Sequence, residues 1–217
     1  MPKVIAILPA YNEEKRIAPV IRGVKKFVKD VIVIDDGSTD QTAKISRSAG
    51  AIVYRLQKNS GKGVALKKGM NEARKRGADI LLFMDADGQH DPKYVPEFIT
   101  AIKNGSDYVY GKRDLSDYPV SRKIGNWGLT MLSNIFCPTG IKDTESGYRA
   151  LTADAASKVE IKATRYAMEM DFVYSIWKNG LRVGCVPIRV PTFIQKPAFT
   201  RGLGNFFYLL KRRFNLI

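Results

Sequence analysis

Two rhythms of apolar and polar positions alternate along the first half of the chain. Unbroken apolar runs in "KVIAILPAY", "VIVIDDGSTD", "AIVYRL", "DILLFMD" and "SDYVYGKRD" predict strands. Between them, "EEKRIAPVIRGVKKFV" repeats Ile17, Val20, Ile21, Val24 and Phe27 at helical spacing. "KGVALKKGMNEARKRG" reads as a helix closed by Gly77. "DPKYVPEFITAIKNG" reads as another, with Pro92 in its first turn and Gly105 past its end. A third helix starts after "DDGSTD", capped by Asp40 or Thr39. Continuous apolar strands alternating with amphipathic helices predict an α/β fold, a mostly parallel sheet covered on both faces.

From about residue 115 the pattern changes. "NWGLTMLSNIF" is a helix with Trp127, Met131, Ile135 and Phe136 in register, and "TESGYRALT" is turn and strand. "YAMEMDFVYSIWKNG" is a helix and "LRVGCVPIRVPTF" a strand. "GLGNFFYLLKRRFNLI" is a closing helix with Leu203, Phe206, Phe207, Leu210, Phe214 and Ile217 on one face. With no internal repeat or linker, residues 1–217 are expected to form one domain.

Sheets of this kind bind ligands beyond the carboxyl ends of their strands. There stand Pro9-Ala10-Tyr11-Asn12-Glu13, Asp35-Asp36-Gly37-Ser38 and Asp85-Ala86-Asp87. Asp85 and Asp87, at i and i+2 after a strand, point the same way and repel each other unless a positive charge intervenes. A hard divalent cation fits that position. The competing reading, a solvated acidic turn, does not require three acidic patches to converge on one edge.

Composition narrows the partners. Thirty-six Lys and Arg against 21 Asp and Glu leave a net charge of +15, which implies an anionic partner. The 46 residues after Asp171 hold no acid and eight bases, so the excess sits at one end. Two cysteines, Cys137 and Cys185, exclude a disulfide framework, and a reducing, cytoplasmic setting is expected. No signal-peptide pattern opens the chain, and no apolar run approaches the ~18 residues of a spanning helix. A nucleic-acid-binding protein would explain the charge but not the acidic strand ends, and no recognition signature is present; nucleic acid is not an expected partner.

Six segments in fixed order, "PAYNE", "DDGSTD", "NSGKGVAL", "DADGQHDP", "GKRD" and "DTESGYRA", resemble the dolichyl-phosphate mannose synthase group of inverting glycosyltransferases, family 2, of the GT-A fold. The resemblance runs from about residue 4 to 152, and more loosely to about 201. It implies metal-dependent transfer of a hexose from a nucleoside diphosphate sugar, GDP-mannose favoured and UDP-glucose or another UDP-sugar the alternative, to a polyprenyl or dolichyl phosphate. It also implies a nucleotide-sugar-binding half (1–114), an acceptor-side half (115–202) and an amphipathic closing helix (203–217).

Carried over residue by residue, the resemblance puts Pro9, Tyr11, Glu13, Ile34 (through its backbone) and Asp36 on the nucleotide. Capping of the following helix is the alternative for Asp36. Asp85 and Ala86 fall on the nucleotide sugar, with Asp87 and Gln89 as ligands of Mg²⁺ or Mn²⁺. Arg113 and Arg122 match arginines that hold the acceptor phosphate, a task suited to the planar guanidinium fork. Lys196 and Arg201, in "QKPAFTRG", stand where the family has an Arg and a Ser-Lys pair. Asp85, Asp87 and Arg113 are the expected catalytic residues. Asp143 and Arg149 either build the acceptor side or form a structural turn. Lys62 either approaches the nucleotide or faces solvent, and His90 has no partner that suggests a role. A lipid phosphate is already anionic, so no general base is needed. With its acceptor in a bilayer, the protein is expected at the cytoplasmic face of a membrane, docked peripherally or through a membrane subunit.

Overall fold

The computed structural model describes residues 2–165, 167–191 and 199–216, of which 199–203 are described by backbone alone. Among these residues the apolar runs become seven strands: β1 (Val4–Ala10), β2 (Asp30–Asp35), β3 (Ile52–Arg55), β4 (Ile80–Phe83), β5 (Tyr108–Arg113), β6 (Arg149–Thr152) and β7 (Val183–Ile188). They form one sheet in the order β3-β2-β1-β4-β6-β5-β7. Eight helices accompany them: α1 (Ile17–Val24), α2 (Thr42–Ser48), α3 (Lys62–Lys75), α4 (Val95–Lys103), α5 (Val120–Phe136), α6 (Ala153–Lys158), α7 (Met168–Lys178) and α8 (Phe199–Arg213).

Strand alternation divides the core in two. Ile5 and Ile7 of β1 face one layer with Leu66 and Met70 of α3, Phe172 of α7 and Leu209 of α8. Val4, Ala6, Leu8 and Ala10 face the other with Ile17 and Ile21 of α1 and Phe98 of α4. Such two-sided burial is why these strands are apolar at every position. A Cβ on Gly69 of α3 would collide with Ile7 and crowd Ile34, so the missing side chain sets how closely α3 lies on the sheet.

The sheet is mostly parallel, as expected: the pairs among β1, β2, β3 and β4, and the β5–β7 pair, are parallel, while β6 runs antiparallel to both β4 and β5. Several other expectations change in detail. The first helix is shorter than its apolar period, and Phe27 lies beyond it, 41% exposed. The helix predicted from Asn126 begins at Val120, and α6 was not anticipated.

The closing helix differs most. Its buried positions include Asn205, Leu209 and Arg212, whereas Phe207 and Phe214, expected on one apolar face, are exposed. Arg212 places Nε 3.0 Å from Asp171, a fully buried residue of α7, which also accepts from the Tyr208 hydroxyl. Leu203 and Arg201 by side chain, Ile217, and Lys196 altogether lie outside the described residues. No helix among the described residues is long and apolar enough to cross a membrane.

Candidate active site

The three acidic strand ends meet at one edge because β2, β1 and β4 are adjacent and parallel, Ala10 lying opposite Asp35 and Ile7 opposite Phe83. Loop contacts then lock the ends of β1 and β2 together. Asn12, in the left-handed region at φ 55°, receives a bond from Thr39 N–H on its side chain and donates its own N–H to Ser38. Glu13 donates its N–H to Thr42 Oγ1. Pro9 is partly exposed, Tyr11 is exposed, and the Ile34 side chain is fully buried, leaving only its backbone for any ligand.

Asp36 does not cap the following helix. Its two carboxylate oxygens accept the backbone N–H groups of Ser60 and Gly61 at 2.7 and 2.8 Å, tying β2 to the start of α3. Asp40 accepts from the N–H and hydroxyl of Thr42 just ahead of α2, whose N-cap residue, Gln41, makes no side-chain cap bond. Buried Asp35 accepts from Ser38 N–H and faces Arg55.

Asp85 and Asp87 sit in different surroundings. The Asp85 carboxylate lies 2.5 Å from Lys62 Nζ, and its backbone N–H donates to Nδ1 of His90. Burial would raise the Asp85 carboxyl, but Lys62 overcomes it and holds the group well below the usual carboxylate range. Among the described residues Asp87 instead accepts only the Gln89 N–H, at 3.0 Å. Burial and the Asp85 charge push its carboxyl up, and burial and Asp87 do the same to Glu13. A carboxylate pushed up by its neighbours is one that gains from a bound cation. Gln89 makes no side-chain hydrogen bond among the described residues, so its carbonyl is available as a hard-metal oxygen. No cluster of three acidic, histidine or cysteine ligands exists among the described residues. Asp87 and Gln89 offer a carboxylate and an amide carbonyl, hard oxygen donors of the kind that Mg²⁺ or Mn²⁺ takes.

Lys62 is half-buried and paired rather than extended into solvent. It bridges to Glu169 of α7 at 3.9 Å, and Glu169 forms an ion pair with buried Arg149 of β6. Burial would lower the Lys62 ammonium, but Asp85 and Glu169 outweigh it and raise it. His90 is buried, stacked on Tyr148, and burial pushes it down to about 4, so it is neutral at pH 7. Its backbone-accepting Nδ1 leaves any proton on Nε2.

Arg113 at the end of β5 grips buried Asp143 through Nε and Nη2, both at 2.7 Å, and Nη2 also reaches Asn126 of α5. Burial opposes the charge, but Asp143 keeps the guanidinium firmly protonated. Arg149 does not join this group, being taken by Glu169. Arg122 lies 4.9 Å over the Tyr118 ring. On α5, Val120, Ile124, Trp127, Met131 and Ile135 are between 43 and 68% exposed, while Leu129, Thr130 and Ser133 are buried.

Lys62 and Glu169 are the residues whose placement sequence reasoning missed. Glu169 and Asp171 within apolar "MEMDFV" were the available signal, since acids on a helix this apolar must be paired.

A mostly parallel sheet with an aspartate pair at the exit of a central strand defines a nucleoside-diphospho-sugar transferase fold of GT-A type. The model described as glycosyl transferase family 2 matches residues 5–156. The chain belongs to that family and is a glycosyltransferase. It is 32% identical over 222 residues to the UDP-N-acetylglucosamine–dolichyl-phosphate N-acetylglucosaminyltransferase of Methanococcus voltae, covering 90% of this chain and 88% of that one. It is 30% identical over 210 residues to the undecaprenyl-phosphate mannosyltransferase of Micrococcus luteus, covering 89% and 84%. Among solved structures, the glucosyl-3-phosphoglycerate synthase of Mycobacterium tuberculosis with Mn²⁺ and UDP-glucose superposes with a TM-score of 0.78, at 22% identity, over 98% of this chain and 79% of that one. That likeness is one of fold.

Proposed function

We propose that the protein transfers a hexose from a nucleoside diphosphate sugar to a polyprenyl phosphate at a membrane surface, inverting the anomeric carbon, with GDP-mannose the favoured donor. One observation carries the choice of acceptor. The helix that turns an apolar stripe outward, α5, also supplies Asn126 to the Arg113 guanidinium. A guanidinium whose Nε and Nη2 are held by Asp143 and Asn126, leaving Nη1, thus stands beside an apolar surface, and a lipid phosphate has both an anionic head and an apolar tail. The two relatives named above, whose names join a sugar to a polyprenyl phosphate, support the same acceptor.

In this reading Tyr11, Glu13 and the β2 end hold the nucleotide, and Asp85 meets the sugar side of the donor. Asp87 and Gln89 would hold Mg²⁺ or Mn²⁺, which supplies charge neutralisation to the departing nucleoside diphosphate. Arg113, with Arg122 and the late basic residues Lys196 and Arg201, holds the acceptor phosphate. The acceptor's phosphate oxygen attacks the anomeric carbon as the bond to the diphosphate oxygen breaks. No proton need be removed, because that oxygen is already anionic.

The test is an in-vitro transfer assay with polyprenyl phosphate, offering GDP-mannose and a set of UDP-sugars with Mn²⁺. GDP-mannose is expected to give the highest kcat/KM; a UDP-sugar in first place, as the M. voltae relative would suggest, moves the donor while keeping the chemistry. Asp87→Ala is expected to lower transfer at least ~100-fold with unchanged unfolding behaviour. Retention of most activity in excess Mn²⁺ would remove Asp87 from the cation site.

A further inference from the structure

Lys62 is fixed more firmly than a surface lysine at a helix start. The residue before it, Gly61, donates its N–H to Asp36, and the residue after it, Gly63, donates to the Thr164 carbonyl. Its side chain, 27% exposed, ends 2.5 Å from Asp85 and 3.9 Å from Glu169. Glu169 is itself held by Arg149, which is 2% exposed, donates to the Ser146 carbonyl and lies 4.2 Å over the Phe172 ring. A Cβ on Gly147 would stand 2.9 Å from Asp85 Oδ2 and 3.2 Å from Lys62 Nζ, so the chain keeps side chains out of this corner.

Two aspartates leaving one strand at i and i+2 make an obvious two-carboxylate cation site. Here an ammonium group already neutralises the first of them. We propose that Lys62 is a positioning residue, a resident counter-cation for Asp85 that keeps this carboxylate off the metal and confines the divalent ion to Asp87 and Gln89. Asp85 then keeps a fixed orientation toward the donor, pinned at its backbone by His90 and at its carboxylate by Lys62. Glu169 and Arg149 hold the lysine from behind. The inference rests on the cation site of the proposed function and adds the residue that enforces the division of labour between the two aspartates.

Binding of Mn²⁺ to the protein without donor, followed by the electron paramagnetic resonance signal of the free ion, separates the possibilities. Lys62→Met frees a second carboxylate, and ligand charge sets affinity in such sites. Mn²⁺ is therefore expected to bind about tenfold or more tightly to Lys62→Met than to the natural chain. Lys62→Arg should leave the affinity near its original value, and Lys62→Met with Asp85→Asn should return it there. Transfer by Lys62→Met should fall in kcat more than it rises in KM for the donor. Mn²⁺ bound no tighter by folded Lys62→Met than by the natural chain, whether both bind or neither does, overturns the proposal. If Lys62→Met does not fold, Asp85→Asn alone decides: unchanged Mn²⁺ affinity is expected, and a loss shows that Asp85 is a ligand after all. Asp87→Asn guards the underlying reading. Undiminished Mn²⁺ affinity in that variant refutes the cation site itself, whatever Lys62 does.

Discussion

His90 shows how a single buried side chain makes this site sensitive to acid. Its Nδ1 accepts the Asp85 N–H and its ring stacks on Tyr148 at 5.0 Å, so protonation would place a hydrogen where a donor already points. Burial brings it from 6.5 down to about 4. The folded state therefore refuses a proton that the unfolded state takes up. Stability from this group is complete above the unfolded value and is lost as pH falls from about 6.5 to about 4, by roughly 3 kcal/mol in all. Denaturant unfolding at steps through that window should show a shallower pH slope for His90→Asn, which can still accept the backbone bond. Equal slopes would mean that His90 is not the group responsible. Sequence gave no reason to expect this, because a lone histidine after "DADGQ" reads as a turn residue until Tyr148, far along the chain, is folded beneath it. The same holds for Lys62, Arg149 and Glu169, which meet from three distant segments. Asp85 and Asp87 were legible as residues of a strand exit because the apolar run and its turn residues are local facts, but β4 ends at Phe83 and Asp87 lies in a turn, so strand alternation does not fix where the two carboxylates point.

At the scale of elements, α5 turns most of its apolar side chains outward, Leu129 alone among its buried residues being apolar. Its protein-facing side carries Thr130 and Ser133, and Asn134 bonds to the Thr130 and Ile141 carbonyls. Its outer side carries Val120, Ile124, Trp127, Met131 and Ile135. Apolar periodicity located the helix but could not say which side faced out, since a 3.6-residue repeat is the same for a core and for a docking surface. The orientation of β6 was equally hidden: a four-residue strand carries no mark of its direction, and antiparallel pairing with β4 and β5 is decided by the connections around it. The exposed stripe, with Arg122 and Lys123 and no acid on the whole helix, has the composition of an interfacial segment. Ile124→Asp with Trp127→Asp should weaken flotation with anionic vesicles at least ~10-fold while donor binding stays unchanged. Undiminished flotation would move the docking surface elsewhere.

Across the whole molecule, the net charge of +15 and the acid-free final 46 residues suggest a basic end pressed on an anionic surface, but the fold spends some of that charge internally. Arg212 is 3% exposed and pairs with Asp171, and Arg213 lies 4.2 Å over the Trp177 ring while donating to the Phe136 carbonyl. Of the three consecutive bases of α8, only Lys211 is exposed. Asp171 in turn accepts the N–H groups of Lys162 and Ala163, just before the Thr164 carbonyl that receives Gly63 N–H next to Lys62. The last helix is thus a strut of the body, tied to α7 and α5, as well as a carrier of exposed Phe207 and Phe214. Removing it to test membrane docking would confuse loss of an anchor with loss of the fold. Arg212→Ala leaves Asp171 buried with its remaining donors but without a cation, and should cost about 3 kcal/mol in denaturant unfolding. Phe214→Ala, 58% exposed, should stay within about 0.5 kcal/mol of the natural chain. If the two variants unfold alike, α8 is a lightly held appendage, and its basic residues return to the reckoning for the membrane surface.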